Sequence, residues 1–222
     1  MRVYYFTSSE FAVSNIALGR VKVSRFHDLN DPFELLAVDI GNLDSRAPIR
    51  AARDRLDKAK GLICFSRKWR DPLLWGHYAD KHRGVCLGFE ISDDSMKDVV
   101  YAKRPLKVPL DPATGVPQLT PEIVDKLQRT KFADWKYEDE VRYFVYLQDV
   151  NKYGSLYFQP FTWYFTLREV ILGPRCELPI SEIRSLVERC DAPVEVLKAR
   201  MAFQSFNVVK DKLASRKRRN GA

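Results

Sequence analysis

The 222-residue sequence predicts an α+β fold: one mixed domain over residues 1–209, with about four helices and a central, largely antiparallel sheet that is open to being split. Three observations carry this. Hydrophobic residues make up 45% of the chain and aromatics 12%, enough to fill a core and incompatible with wholesale disorder. Short β-rich runs recur about eight to ten times, bounded by Gly, Pro, Asn and Asp. Helical patterns are inserted early and strands crowd late, without the strict alternation of a parallel α/β sheet.

Val3 to Thr7 is aromatic and β-branched, so the chain opens on a strand. Ser8 or Ser9 caps the next helix, whose apolar side is Phe11, Ala12, Ile16 and Leu18, and Gly19 stops it. Arg20 to Phe26 alternates as a half-buried strand. His27-Asp28-Leu29-Asn30-Asp31-Pro32-Phe33-Glu34 then dictates a turn, because Asn30 and Asp31 can bond their own backbone. Leu43 to Pro48 is a polar break. Ile49, Ala52, Leu56 and Ala59 recur at helical spacing up to Lys60, and Leu62 to Phe65 enters a short buried strand.

Asp71 caps a helix that Pro72 starts and Gly84 ends, and Val85 to Ile91 is an apolar strand. Val99 to Ala102 is a short strand, and Arg104 to Pro117, with four prolines and no period, is a loop. A helix runs from Thr120 to about Trp135, followed by strands at Val141 to Leu147, Leu156 to Phe165 and Leu167 to Leu172. Ser181 to Cys190 is a last helix. Val194 to Leu197 and Met201 to Val209 give the last strands, before a basic tail at 210–222 that is expected to be disordered.

The net charge of +8 favours phosphates, so nucleic acid reached through a basic surface is a partner to consider. The four cysteines form no CxxC pair, and Cys64 and Cys86 sit inside apolar strand patterns where free thiols are common. MRVYYFTSS has no long apolar run behind its arginine, and no stretch approaches the roughly 18 apolar residues of a membrane span. The expectation is a reduced, cytoplasmic protein. No P-loop, dinucleotide fingerprint or HExxH occurs, and no metal site is expected.

Four blocks carry more information. They are Asn30 to Glu34 (NDPFE), Cys64-Phe65-Ser66, Leu74 to Phe89 (LWGHYADKHRGVCLGF) and Lys131 to Arg142 (KFADWKYEDEVR). In order and spacing they resemble the bacterial DUF2971 family, a domain of unknown function, over nearly the whole chain. The opening strand with Tyr5-Phe6-Thr7-Ser8, followed by helix, strand and turn, looks like the start of the ADP-ribosyltransferase superfamily, whose DarT-like members act on nucleic acid. That resemblance implies an NAD-using transferase acting in phage defence or as a toxin. It places Tyr5 or Thr7 where many such enzymes carry His or Arg, and Glu140 or Glu138 as the late glutamate beside the ribose.

Candidate site residues follow. Glu140, Tyr78 and His77 are the catalytic candidates, and Tyr5, Thr7, Asn30, Asp31 and Arg142 are the candidates for binding NAD. Trp75, Tyr78 and His82 share one helix face, and an imidazole there can shuttle protons or bind phosphate, or the face can simply be core. The acids and amides around Pro32 exceed what a turn requires. If the strand starts early, its two-residue period puts Glu138, Glu140 and Arg142 on one face. The ADP-ribosyltransferase resemblance then implies that Glu140 meets a ribose hydroxyl and Arg142 a phosphate; without it, the two can form an internal ion pair. A non-catalytic nucleic-acid- or partner-binding module is the rival reading. A metal-dependent nuclease or hydrolase is another, if Asp31, Glu34 and Glu138 cluster.

Overall fold

Strand β1 (Arg2–Thr7) opens the fold, and Ser8 caps helix α1 (Ser9–Ala17) by accepting a hydrogen bond from the Phe11 N–H. The computed structural model describes residues 1–39 and 46–215. In chain order there follow β2 (Arg20–Val23), α2 (Arg46–Ala59), β3 (Lys60–Ser66), α3 (Pro72–Tyr78) and β4 (Val85–Ile91). Next come β5 (Met96–Asp98), β6 (Val100–Ala102), α4 (Pro121–Arg129), β7 (Thr130–Phe132) and β8 (Glu140–Tyr146). The last are β9 (Asn151–Tyr153), β10 (Leu156–Pro160), β11 (Phe165–Leu172), α5 (Ile180–Val187), β12 (Glu195–Met201) and β13 (Val208–Lys210). The class is α+β. Among the described residues there are more strands than the sequence suggests, because several are only three residues long.

The chain divides into two compact units. Unit 1 takes Met1–Val21, Phe65–Asp93 and the chain from Pro160 onward, and unit 2 takes Lys22–Cys64 and Asp94–Gln159. In unit 1 the strands run β13-β12-β11-β4-β1, and Tyr4 of β1 pairs with Ser66 at the end of β3. β4 is antiparallel to β1 (Tyr4 opposite Gly88) and to β11, while β11 and β12 are parallel and joined through α5. The sheet is therefore mixed. Its core is Trp75, Ala79, Cys86, Ile171, Leu197, Ala199 and Val208, and Phe89 meets Phe65 edge to face and Phe165 at a tilt.

In unit 2 the strands run β3-β8-β5, with Lys97 opposite Arg142. β6 and β7 form a parallel pair, and β9 and β10 a hairpin. One cluster joins Phe26, Leu35 and Leu62, and a second joins Val38, Ile49 and Leu127. Gly61 is needed for room, since a Cβ there would press on Val23, Leu147 and the Ser24 carbonyl.

Several element boundaries differ from the sequence expectation. The helix expected from Asp71 to Gly84 ends at Tyr78, and Asp80, Lys81 and His82 are all left-handed (φ 42, 51 and 73). Gly84 is not left-handed: its backbone lies against Thr7 and Ala79, where a Cβ would collide with the Thr7 carbonyl. The helix expected to reach Trp135 stops at Arg129, giving way to β7 and a 3-10 turn over Ala133–Glu138. The strand expected from Arg20 to Phe26 ends at Val23, and the one expected from Leu156 to Phe165 ends at Pro160. Of the polar break at Leu43 to Pro48, Arg46 to Pro48 begin α2, and the rest lies outside the described residues.

At the C-terminal end, Lys210 closes β13. Asp211 turns the chain by accepting from the N–H groups of Leu213 and Ala214, and the Ser215 hydroxyl accepts from Lys198 N. Residues 216–222 of the expected tail lie outside the described residues. Among the described residues no helix is long and apolar enough to cross a membrane.

Candidate functional site

Tyr5, Thr7, His77 and Tyr78 are carried by unit 1, and Asn30, Asp31, Glu140 and Arg142 by unit 2. In unit 1, Tyr5 packs edge-on against Phe65 and Thr7 is buried in β1. His77 is exposed, with its ring tilted against that of half-buried Tyr78. Trp75 is wholly buried and donates its indole N–H to the Trp69 carbonyl (2.6 Å), which makes it a core anchor. Because the helix ends at Tyr78, His82 does not share a helical face with it. The His82 ring instead folds back toward Gly76, and burial followed by the nearby Arg175 pushes its imidazole below the usual histidine range.

In unit 2, β8 places Glu140 and Arg142 on one buried face, as the strand period requires. Arg142 is fully buried. Its guanidinium donates to Glu34 through both terminal nitrogens (2.5 and 2.9 Å), to Glu140 through Nε (2.8 Å) and to the Gln128 carbonyl (2.7 Å). Lys131, also buried, donates to Glu138 (2.5 Å) and Glu140 (3.1 Å) and lies 4.8 Å from the Trp135 ring centre. Asp139 is left-handed (φ 47), and that reversal lets Glu138 from the 3-10 turn and Glu140 from the strand converge on one ammonium. The internal ion pair between Glu140 and Arg142 is thus present, as part of a network of three carboxylates and two cations. Both Glu140 oxygens are engaged in it.

The Asn30 to Glu34 loop leads somewhere different. Glu34 turns inward to Arg142, whereas Asn30 and Phe33 are exposed, so Phe33 is not tucked into the core. Asp31 is 3% exposed. Its Oδ1 accepts from the Phe33 N–H (2.9 Å), while its buried Oδ2 has no hydrogen-bond partner among the described residues. Leu35, a bulky γ-branched residue, is held left-handed at φ 57 directly after this loop.

Asp31 and Glu34 line a cleft of about 460 Å³ together with Phe26, His27, Arg53, Asp57 and Lys58, among others. On its rim Asp57 gathers three donors: the His27 N–H (3.1 Å), the Arg25 guanidinium and the His27 ring through Nδ1 (2.8 Å). Burial works against the charged form of Asp57, but these donors outweigh it and hold the carboxyl below its usual range. The Nε2 edge of His27 lies 3.1 Å from Asp28 Oδ1. His27 and Asp57 are the residues that sequence reasoning missed. The available signal was an acid on the inner side of α2, one position after Leu56, on a helix whose one other acid, Asp54, faces solvent.

The cleft can therefore accept hydrogen-bond donors at Asp31, meet an anion at Arg53 or Lys58, and move a proton at the His27–Asp57 pair. Among the described residues no group of three or more His, Cys, Asp or Glu side chains is placed to hold a metal ion. The clustering that a metal-dependent nuclease would need at Asp31, Glu34 and Glu138 is thus missing there.

No curated protein and no solved structure matches the chain. Residues 74–143, which run from the Trp75 helix through the Lys131–Glu140–Arg142 network, match the sequence model of a family described as "Protein of unknown function (DUF2971)". That segment, with its tryptophan anchor and its buried charges, is where the chain is similar to the DUF2971 proteins.

Proposed function

We propose that the unit 2 cleft binds a hydroxyl-rich, phosphate-bearing small molecule, with NAD as the specific ligand and ADP-ribosyl transfer as the chemistry. The observation that supports this is the Asp31 carboxylate: nearly buried, on the cleft wall, with one oxygen unpartnered among the described residues. Leaving a buried acceptor unsatisfied costs about 1–3 kcal/mol, a cost that a donor on a bound ligand removes. Ribose hydroxyls are such donors. A carboxylate with no cation paired to it among the described residues also suits a centre that develops oxocarbenium character as the nicotinamide leaves with the bonding electrons. Arg53 and Lys58 lie on the same cleft for the phosphates, and the His27–Asp57 pair is the group to take the acceptor's proton. Glu140 plays a supporting part in this reading, by holding Arg142 and through it Glu34. The biological setting that goes with such chemistry is phage defence or toxin action.

Isothermal titration of the full chain with NAD is the test. Binding is expected in the wild type and is expected to weaken roughly tenfold or more in Asp31→Asn, which keeps the shape and removes the charge. Nicotinamide release should be lost in the same variant. Glu140→Gln is a poor test, because it disturbs a buried network and with it the fold. No heat with NAD in the wild type, or unchanged binding in Asp31→Asn, overturns the reading.

A further inference from the structure

The turn between β12 and β13 carries two phenylalanines that the fold does not use. Ala202 N donates to the Asn207 carbonyl (2.9 Å) and Met201 pairs with Val208, so the hairpin is ordered. Yet Phe203 is 89% exposed and Phe206 is 97% exposed. An exposed phenylalanine on an ordered turn contributes nothing to burial, and two of them form apolar surface that a partner would explain.

The surroundings give that partner a charge. Arg200 on β12 sits with its guanidinium 4.4 Å from the Phe203 ring centre. The Arg67-Lys68-Trp69-Arg70 segment, between β3 and α3, is pinned to the same hairpin, because the Val208 N–H donates to the Arg70 carbonyl (2.8 Å). It is pinned below by the Trp75 indole bonded to the Trp69 carbonyl, and Trp69 packs on the cluster that holds Val208 and Trp75. The Arg70 guanidinium lies 5.5 Å from the Trp69 ring centre. The acid next to that segment, Asp71, is already engaged by Lys68 (3.4 Å). Cations and flat rings therefore alternate across one patch of unit 1.

We infer that this patch binds single-stranded nucleic acid, with bases stacking on Phe203 and Phe206 and phosphates meeting Arg70 and Arg200. Both halves of the chemistry fit. Every base has a face for an aromatic ring, and arginines beside the rings meet the backbone that follows the bases. An anionic membrane is the less favoured occupant: Gln204, Ser205 and Asn207 lie among the phenylalanines, and the Asn207 amide donates to Ser205 (3.1 Å), so no continuous apolar tip exists to insert.

The experiment is fluorescence anisotropy of the full chain with a labelled oligothymidylate of about twenty nucleotides, long enough for one stacking site. The wild type is expected to bind. Phe203→Ala with Phe206→Ala should weaken binding by roughly tenfold or more and leave the salt dependence unchanged, since stacking carries no counterion term. Arg70→Ala and Arg200→Ala should each flatten the slope of log affinity against log salt by about 0.7. Both phenylalanines are exposed, so thermal melting of that double variant should match the wild type. The inference is overturned if the wild type does not bind, or if the phenylalanine variant binds as well as the wild type. It also falls if replacing Arg216, Lys217, Arg218 and Arg219 by serine alone abolishes binding. Phenylalanine-dependent retention on phosphatidylserine vesicles without oligonucleotide binding would assign the patch to a membrane instead.

Discussion

Arg142 has no contact with water, and four groups receive its protons: both Glu34 oxygens, Glu140 and the Gln128 carbonyl. Removing one partner of such a group leaves the others charged and buried, which typically costs about 3–5 kcal/mol, whereas removing the whole set is often neutral or stabilising. Arg142→Met is therefore expected to lose about 3–5 kcal/mol in urea denaturation, and adding Glu34→Gln and Glu140→Gln should recover much of that loss. If the single and triple variants are equally unstable, the network is not a unit. The contribution of Glu140 to the pH response has a defined sign, opposite to that of Glu34, whose carboxyl burial pushes up. Burial alone would raise the Glu140 carboxyl, but Arg142 and Lys131 outweigh it and hold it down to about 2. Unfolded, a glutamate titrates near about 4.3, so this stabilisation is complete above that pH and is lost as pH falls toward about 2. Lys131→Met weakens the depression, so stability lost between about pH 5 and pH 3 should be smaller in that variant than in the wild type. Equal losses would refute the assignment. The sequence made the Glu140–Arg142 pair legible through the two-residue period of a strand. It did not reveal Lys131 or Glu34, because their approach depends on a left-handed Asp139 and on a loop far along the chain.

Among the elements, β4 was legible in full, whereas the end of α3 was not. Val85 to Ile91 forms β4 with the same limits, because apolar period and glycine boundaries are local properties. The end of α3 is not local. Trp75 accepts the His82 N–H through its carbonyl (3.0 Å), and Gly173 donates to Gly84 (2.9 Å), so packing against the β11 end closes the helix early through three left-handed residues. Each such residue outside glycine costs about 1–2 kcal/mol in isolation and persists only when its surroundings fix it. Gly84 is one of those surroundings, by virtue of its missing Cβ rather than its backbone angle. Gly84→Ala should accordingly destabilise by about 1–3 kcal/mol, seen as a lower melting temperature, even though alanine is the better residue for most backbones. A neutral or stabilising effect would mean that the backbones can separate.

For the molecule as a whole, chain order and spatial order diverge. Val3 lies opposite Phe89 and Phe165 opposite Ile91, so unit 1 is assembled from contacts far apart in sequence, a pattern associated with slow folding. A fragment ending at Gln159 retains β1 and β4 but loses β11, β12 and β13, and with them one whole side of β4. In that fragment the methyl resonances of Val3 and Leu87, which belong to the unit 1 core, are expected to lose their dispersion, and native shifts at those two residues would contradict the topology. No sequence pattern foretold the discontinuous division, since periodicity reports faces and not partners. The buried network has one more consequence, which lies in temperature. The hydration of ions weakens on heating, so withdrawing charges from water becomes less unfavourable as the solution warms. Glu34, Lys131, Glu138, Glu140 and Arg142 therefore burden the fold most in the cold. An apolar replacement of the set would gain most near freezing and progressively less toward the melting transition, making the charged interior a feature better suited to warm growth than to cold.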